Sequence, residues 1–155
     1  MLKSIEGNFD HLYVNELLTK HFIELRAASP KGSAHVLDIP GLKVSSIKFW
    51  SLWENEKLLG CGALKFLELG HGEFKSIRIH DNFRNKGNGI KVINHLIDEA
   101  KKLRVKRLSI ETGAGKFFEP ARKLFKKCLF EPCKPFAHYK EDVDSIYLTK
   151  LINND

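Results

Sequence analysis

The fold of this chain is decided by the stretch Glu73-Phe74-Lys75-Ser76-Ile77-Arg78-Ile79-His80, followed by Asp81-Asn82 and the loop Phe83-Arg84-Asn85-Lys86-Gly87-Asn88-Gly89. The first part alternates its side chains as a strand does, and after the loop apolar residues recur at helical spacing. Glycines between a strand and a helix let the backbone approach a ligand closely. Backbone N–H groups then converge where the helix dipole adds positive potential. The loop therefore suits a pyrophosphate, although a tight strand-to-helix turn would give a similar sequence.

Two common phosphate-binding motifs do not fit this loop. The spacing of its glycines fails the G-x-G-x-x-G fingerprint of dinucleotide-binding folds. It also lacks the G-K-[ST] ending of a nucleotide triphosphate loop at the required spacing. The short pattern R-x-x-G-x-G remains, and its meaning depends on the elements around it.

Upstream of the loop, the sequence predicts a strand at residues 2–5, a helix and an antiparallel meander. Asp10 is the expected N-cap of the helix, which carries an apolar stripe with His21 on it and ends before Ser29-Pro30. Residues 30–43 are typical of a loop. A strand rich in aromatic and β-branched residues follows at residues 47–53, then strands at 58–67 and 73–80. The polar turns between them predict the meander.

Downstream, a helix at residues 90–103 and a strand at 107–111 complete a βαβ unit, so the strands at 73–80 and 107–111 should be parallel. Pro120 suits the first turn of a further helix. A short proline-bounded segment at 130–136 and a strand at 145–151 close the chain. We therefore expect one α/β domain over residues 1–155.

Charge points to a phosphorylated ligand. The 155 residues include 26 basic and 19 acidic side chains, a net charge of +7, with the basic residues concentrated after position 84. Such a surface attracts nucleic acid, anionic membrane or a phosphate-bearing cofactor, or is simply a solvated lysine-rich surface. Because no nucleic-acid recognition motif and no membrane-length apolar run is present, we expect neither nucleic acid nor a membrane as partner.

The cysteines and the N-terminus bear on location. Cys61, Cys128 and Cys133 are odd in number and form no C-x-x-C pair, which argues against a disulfide framework and a zinc site. The first residues lack the apolar stretch of a signal peptide. We therefore expect a cytoplasmic protein without a metal.

The loop in its context resembles the acetyl-CoA loop of the GCN5-related N-acetyltransferase (GNAT) superfamily. The order of elements, namely helix, meander, loop, helix, strand, helix and strand, is similar over nearly the whole chain. Further stretches resemble one bacterial branch of mostly uncharacterised substrate; they are Ser29-Pro30 with His35, Gly60-Cys61-Gly62-Ala63-Leu64-Lys65, Gly72-Glu73-Phe74-Lys75-Ser76-Ile77-Arg78, Ile110-Glu111-Thr112-Gly113, Phe118-Glu119-Pro120-Ala121-Arg122 and Pro135-Phe136 with Tyr139.

The resemblance implies a mixed, mostly antiparallel sheet of six to seven strands, splayed between its two parallel central strands, with three to four helices. It implies acetyl-CoA as co-substrate and direct attack of an amine on the thioester. The residues it places along the cofactor are Ile77, Arg78 and Ile79 on the strand, Arg84, Asn85, Lys86, Gly87, Asn88, Gly89 and Ile90 in the loop, and Phe118, Arg122 and Phe125 on the following helix. Several of these would also suit a core stripe or a solvated surface.

For catalysis the resemblance implies Glu73 as the base, the alternative being a strand-end carboxylate paired with a lysine. The chain departs from the family at Phe125, where a tyrosine is common, because a phenyl ring has no proton for the CoA thiolate. Either water protonates the thiolate or another group does. Tyr139 is the substitute donor we consider, the alternative being that it is a packed aromatic. The missing tyrosine also leaves open a non-catalytic acyl-CoA-binding module of the same fold.

Further expectations concern the acceptor and two helix ends. The acceptor, a small-molecule amine rather than a protein, should be selected by residues 29–43 and 132–144, with Trp50, Trp53 and Phe136 lining the site or packing in the core. His35 lies in the first of these segments, where it would contact substrate or be solvated. The family tends to place glycine where this chain has Arg104 and Leu129, so a strained or altered helix end is expected there. A homodimer is compatible with the resemblance.

Overall fold

A seven-stranded sheet with helices on both faces forms the framework, in a computed structural model that describes residues 1–30 and 34–152. The strands are β1 (Lys3–Glu6), β2 (Ile47–Glu54), β3 (Lys57–Phe66), β4 (His71–Ile79), β5 (Arg107–Gly113), β6 (Glu131–Pro132) and β7 (Ser145–Leu151). The helices are α1 (Leu12–Ala28), α2 (Ile39–Leu42), α3 (Asn88–Lys102) and α4 (Glu119–Lys127), with single 3-10 turns at Asp81–Phe83 and Lys116–Phe118.

The strand order is β1-β2-β3-β4-β5-β7-β6, and β4 and β5 are the parallel pair. The meander β2-β3-β4 and the pair β5-β7 are antiparallel. This confirms the predicted mixed sheet and its parallel centre. The two-residue strand β6, at the edge beside β7, lies inside the proline-bounded segment that the sequence left without an element.

The parallel pair separates early along its length. Its register joins only three residue pairs, from His71 with Arg107 to Glu73 with Ser109. Beyond Glu73, β4 continues for six residues beside β3 alone. A bulge adds to the divergence, because the register with β3 shifts between Cys61 and Ala63, and Ser76 takes a φ of +53°. The sheet therefore opens between β4 and β5, toward the start of α3.

Two apolar cores lie on opposite faces of the sheet. The larger one packs α3 and α4 against the sheet through Ile93, Leu96, Phe74 and Phe125. The smaller one packs α1 and α2 on the other face through Val14, Leu17, Leu42 and Phe49. Each helix thus buries one stripe of its surface, as the spacing of apolar residues in the sequence predicts.

Both tryptophans belong to these cores. Trp50 is 3% exposed within the larger core, and Trp53 packs at the margin of the smaller one. Of the two roles considered for them, the structure favours core packing. No helix among residues 1–30 and 34–152 combines the length and apolarity that crossing a bilayer requires.

Two local predictions are wrong. The N-cap of α1 is His11, whose Nδ1 accepts the Tyr13 N–H at 3.1 Å, and not Asp10. A histidine ring nitrogen, absent from the usual capping set, replaces the carboxylate there. The predicted loop at 30–43 contains the short helix α2, which Asp38 caps through the Gly41 N–H at 2.9 Å. Residues 31–33 of that loop lie outside the described residues.

The ends of α3 and α4 show the strain that the missing glycines predict. Arg104 and Leu129 adopt φ of +64° and +69° just beyond the helix ends. The N–H of Arg104 reaches the Lys101 carbonyl and that of Val105 the Ala100 carbonyl, which is the Schellman pattern. The same two bonds recur after α4. Both helices therefore end in a left-handed residue that carries a side chain.

Candidate active site

Glu73 lies at the point where β4 and β5 separate, and it is 2% exposed. The Tyr139 hydroxyl donates to Glu73 Oε2 at 2.5 Å, and Lys75 Nζ lies 3.4 Å from the same oxygen. Lys75 Nζ also donates to the Tyr139 oxygen at 3.1 Å. A buried carboxylate needs such partners, because burying an unpaired charge is costly. The structure thus brings together the two residues singled out for catalysis and adds Lys75, the lysine partner considered as the alternative role of Glu73.

Tyr139 lies in the segment before β7, and its ring packs among other aromatic side chains. Its ring lies edge-on to Phe136 and to His35, with centroids 5.2 and 5.1 Å apart. Tyr147 stands next to it and donates its hydroxyl to the Lys140 carbonyl at 2.8 Å. Burial, followed by the charge of Glu73, raises the pKa of the Tyr139 phenol far above its usual value. Tyr139 therefore stays protonated at neutral pH and presents a hydrogen-bond donor.

A second carboxylate stands across the gap. Glu111 is half-buried on β5, and the Ser145 hydroxyl donates to its Oε2 at 2.8 Å. Burial raises the pKa of the Glu111 carboxyl, while the Ser145 hydrogen bond and the nearby His35 and Lys75 act in the opposite direction. The repulsion from Glu73 adds to the increase. In the sequence, Glu111 stands out only as part of a shared motif, because nothing in its local pattern distinguishes it from a surface carboxylate.

A cavity of about 580 Å³ opens beside the Glu73–Tyr139 pair. Its walls come from the segment before α2, from β3 and β4, and from β7 with the segment before it. They include His35, Leu37, Lys65, Lys75, Tyr139 and Tyr147. Pockets of this size hold small molecules. The two segments expected to select the acceptor both contribute, within the described residues. Phe136 contacts Tyr139 at the back of this wall.

The loop at the start of α3 has the backbone geometry of an anion site. Gly87 is the N-cap of α3 with a φ of +79°, and Asn85 adopts a φ of +61°. A methyl group on Gly87 would meet no atom within 4 Å, so its surface is open. At Gly89 a methyl would come within 2.7 Å of the Leu124 side chain, so this glycine allows α4 to pack closely. Asn88 closes the turn by donating to the Phe83 carbonyl at 3.0 Å.

The remaining loop residues are mostly exposed. Arg84 donates through Nε to the Ile79 carbonyl at 3.3 Å and pairs with Asp81 at 3.2 Å. Lys86 Nζ lies 3.4 Å from the Asn82 carbonyl, and Ile90 is 39% exposed at the start of α3. The charged groups of Arg84 and Lys86 are therefore exposed beside the loop, where a phosphate can reach them.

Asp81 ties this loop to α1. It accepts from Lys20 and lies 3.2 Å from an amino group of the buried Arg78, which also reaches Glu24 at 2.9 Å. The Lys20 hydrogen bond, reinforced by Arg84 and Arg78, lowers the pKa of Asp81 despite its partial desolvation. The side chain of Arg78 is thus committed to the α1 face. This network could not be predicted from the sequence, because its members are far apart in the chain.

Ile77 and Ile79 pack their side chains against the larger core, toward α3. Their backbone belongs to the part of β4 that β5 does not pair, so one edge of the strand faces the gap. This is the geometry that the resemblance predicts for main-chain contacts to a pantetheine arm.

Three residues near α4 that were predicted to lie along the cofactor have structural roles in the folded protein. Phe118 packs on Gly113, where a methyl group would lie 2.2 Å from its ring. Arg122 donates to the carbonyls of Gly113 and Gly115 at 2.7 and 2.8 Å and so holds the turn after β5. Phe125 is 3% exposed and packs edge-on to Phe130. A contact with a cofactor remains a prediction for all three.

Comparison with known proteins agrees with this geometry. The model of the acetyltransferase (GNAT) family matches residues 13–130. The chain is 44% identical to the uncharacterized N-acetyltransferase YsnE of Bacillus subtilis, over 90% of this chain and 92% of that protein. It is 37% identical to the uncharacterized N-acetyltransferase YedL of Escherichia coli, over 94% and 92% of the two chains.

Solved structures share the fold at lower identity. A Bacillus subtilis acetyltransferase in complex with CoA superposes with a TM-score of 0.67 at 17% identity, over 99% of this chain and all of that one. The splayed mixed sheet is therefore the fold of known acetyltransferases. From the family match and these relatives, the chain belongs to the acetyltransferase (GNAT) family and is an acyltransferase enzyme of the N-acetyltransferase kind.

Proposed function

We propose that this enzyme transfers an acetyl group from acetyl-CoA to a small amine that enters the cavity beside Glu73. The observation that carries the proposal is the separation of β4 from β5 at Glu73. It creates a gap that leads from a buried carboxylate to the open loop at the N-terminus of α3. A pantetheine arm would lie along the unpaired edge of β4, and the pyrophosphate would accept N–H bonds from residues 85–90, with Arg84 and Lys86 adding charge. Phe118, Arg122 and Phe125 would lie further along the cofactor.

The acceptor must lose a proton to become a nucleophile. A simple alkylamine has a pKa of about 10.4, so most of it is protonated at neutral pH. Glu73 would take the proton directly or through one water, since it is the ionisable group at the gap that Tyr139 and Lys75 hold in place. A backbone N–H near Ile77 would stabilise the oxyanion that forms on the thioester carbonyl.

The leaving thiolate must gain a proton, and Phe125 cannot supply it. Tyr139 keeps its proton at neutral pH and already donates to Glu73. We propose that Tyr139 passes its proton to the thiolate and recovers one from protonated Glu73. The amine nitrogen bonds to the acetyl carbon, and the carbon–sulfur bond breaks. Of the two protons that the ammonium loses on becoming an amide, one ends on the CoA sulfur and the other is released to solvent.

Two measurements test the function. Isothermal titration should show binding of acetyl-CoA, and free thiol should appear when an amine panel is added. Glu73→Gln should lower kcat by about 100-fold, within the range for loss of a general base, while the Kd for acetyl-CoA stays the same. Binding of acetyl-CoA without thiol release from any amine would favour the non-catalytic acyl-CoA-binding module, and absence of binding would contradict both functions.

A location follows from the thiols. Cys61, Cys128 and Cys133 are all unpaired, and the first two are buried. Free thiols persist in a reducing compartment. We propose a cytoplasmic enzyme on this basis.

A further inference from the structure

Lys65 is one of the cations that line the cavity. It lies on β3 directly opposite Glu73 on β4, and its half-buried side chain lines the cavity. Residues directly opposite in an antiparallel pair have Cβ atoms about 4.5–5.5 Å apart on the same face. Lys65 therefore stands beside the carboxylate at the gap.

The ammonium of Lys65 has no charged partner within the described residues. Lys75, two residues after Glu73 on β4, is committed to Glu73 and Tyr139 at 3.4 and 3.1 Å. For the Lys65 ammonium, residues 1–30 and 34–152 provide neither an ion pair nor a hydrogen bond. A partly desolvated ammonium without a partner is unfavourable, and an anion in the cavity would compensate it.

The other charged residues of the cavity are placed differently. Lys140 and Glu141 are exposed at its rim, with opposite charges. The Asp142 carboxylate accepts the Asp144 N–H at 2.8 Å and so shapes the local turn. The cavity wall therefore holds Lys65, which has no ion pair within residues 1–30 and 34–152, next to its cross-strand neighbour Glu73 at the gap. Glu111 lies close enough to Glu73 to repel it.

This arrangement complements a molecule with a cationic and an anionic end. We propose that the acceptor is a small amino acid, whose nitrogen faces Glu73 and whose carboxylate is bound by Lys65. The inference rests on the proposed function and names its substrate class. Lys65 forms no bond to the reacting atoms. The amine nitrogen bonds to the acetyl carbon and the carbon–sulfur bond breaks. One of the two protons that the ammonium loses passes through Glu73 and Tyr139 to the CoA sulfur, and the other goes to solvent. The carboxylate stays ionised throughout.

The experiment compares matched acceptors in the thiol-release assay. Glycine, β-alanine, γ-aminobutyrate and the common α-amino acids are each assayed beside their amides, which keep the amine and lose the negative charge. For the preferred acceptor we expect kcat/KM roughly 10- to 100-fold above that of its amide, the range for a hydrogen bond to a charged group. Most of the difference should appear in KM.

Three variants test whether Lys65 causes the preference for the amino acid over its amide. Lys65→Met keeps the length of the side chain, and should bring the ratio of amino acid to amide close to one, mainly by raising KM for the amino acid. Lys65→Arg should retain a preference for the amino acid. Lys57→Met, at an exposed position of the same strand, makes the same change in net charge and should leave the ratio unchanged.

Each outcome decides between the proposals. Turnover of amides at least as fast as of amino acids, or a preference that survives Lys65→Met, overturns the inference while leaving the acetyltransferase function intact. Binding of acetyl-CoA with no thiol release from any member of the panel overturns the proposed function, and the inference fails with it.

Discussion

The Tyr139 hydroxyl donates a hydrogen bond of 2.5 Å to Oε2 of Glu73, across 66 residues of sequence. This bond joins the irregular segment before β7 to the centre of the sheet, at the point where the parallel strands part. Because burial and Glu73 keep Tyr139 protonated, the hydroxyl always presents its proton to the carboxylate. The cavity and the gap meet at this bond, so it is the natural target for a first variant.

Tyr139→Phe should lower kcat by about tenfold, in line with the loss of one hydrogen bond to a charged group. The Kd for acetyl-CoA should stay the same, since the loop of α3 is untouched. The check is steady-state kinetics combined with titration of the cofactor. In the double variant with Glu73→Gln the two effects should not add, because both residues act through the same bond. Full additivity would show that Tyr139 acts independently of Glu73.

Gly87→Ala should weaken acetyl-CoA binding by about tenfold. A side chain in the left-handed region costs roughly 1–2 kcal/mol, and relaxation of that strain would turn the N–H groups of the loop away from the phosphates. The check is the Kd measured by titration. Gly7→Ala is the matched control, because Gly7 also has a positive φ, of +84°, and open space around it, but lies beside β1 at the far edge of the sheet. An equal loss of affinity in both variants would assign the effect to global stability.

Arg104→Gly and Leu129→Gly should each stabilise the protein by about 0.5–1 kcal/mol. Glycine removes the left-handed strain at the ends of α3 and α4, and part of the gain is lost to its greater freedom in the unfolded chain. Urea unfolding measures the change. Arg104→Ala and Leu129→Ala keep a Cβ at the same φ and should bring no gain. Equal stabilisation by alanine would mean that the original side chains, and not the backbone, carry the strain.

His21 should make the protein less stable in mild acid. It is 5% exposed on α1, and burial, reinforced by Arg78 and Arg84, lowers its pKa from 6.5 to about 3. Between these values the unfolded chain binds a proton that the folded one does not, so stability falls as the pH falls. From pH 7.5 to 5.5, His21→Leu should lose about 1.4 kcal/mol less unfolding free energy than the wild type.

The control for that comparison is His138→Leu, since His138 is exposed. It should keep the wild-type dependence on pH. Urea unfolding at the two pH values measures both variants. If His21→Leu loses as much stability as the wild type, His21 takes up a proton in the folded protein as readily as in the unfolded chain.

Local sequence was sufficient for much of the framework. The bounds of β7, the end of α1 before Ser29, the place of Pro120 in the first turn of α4 and the parallel pair are as predicted. Each depends on side-chain period, proline geometry or the βαβ rule. The strained residues Arg104 and Leu129 were also foreseen, since only the absence of glycine had to be noticed. The loop of residues 84–89 was also recognisable from the local sequence, because its chemistry lies in consecutive backbone groups.

Tertiary structure alone decided which side chains meet at the gap. Tyr139, Lys65 and Glu111 come from three separate elements, and no periodicity relates them to Glu73. The commitment of Arg122 to the carbonyls of residues 113 and 115, and of Arg78 to Glu24 and Asp81, likewise depends on how elements pack. The sequence determined a strand, a glycine loop and a helix whose backbone N–H groups suit an anion, because the forces that form them act between neighbours in the chain. The charges and the shape of the acceptor cavity arise from contacts between distant residues, and only the packed sheet and its flanking segments bring them together.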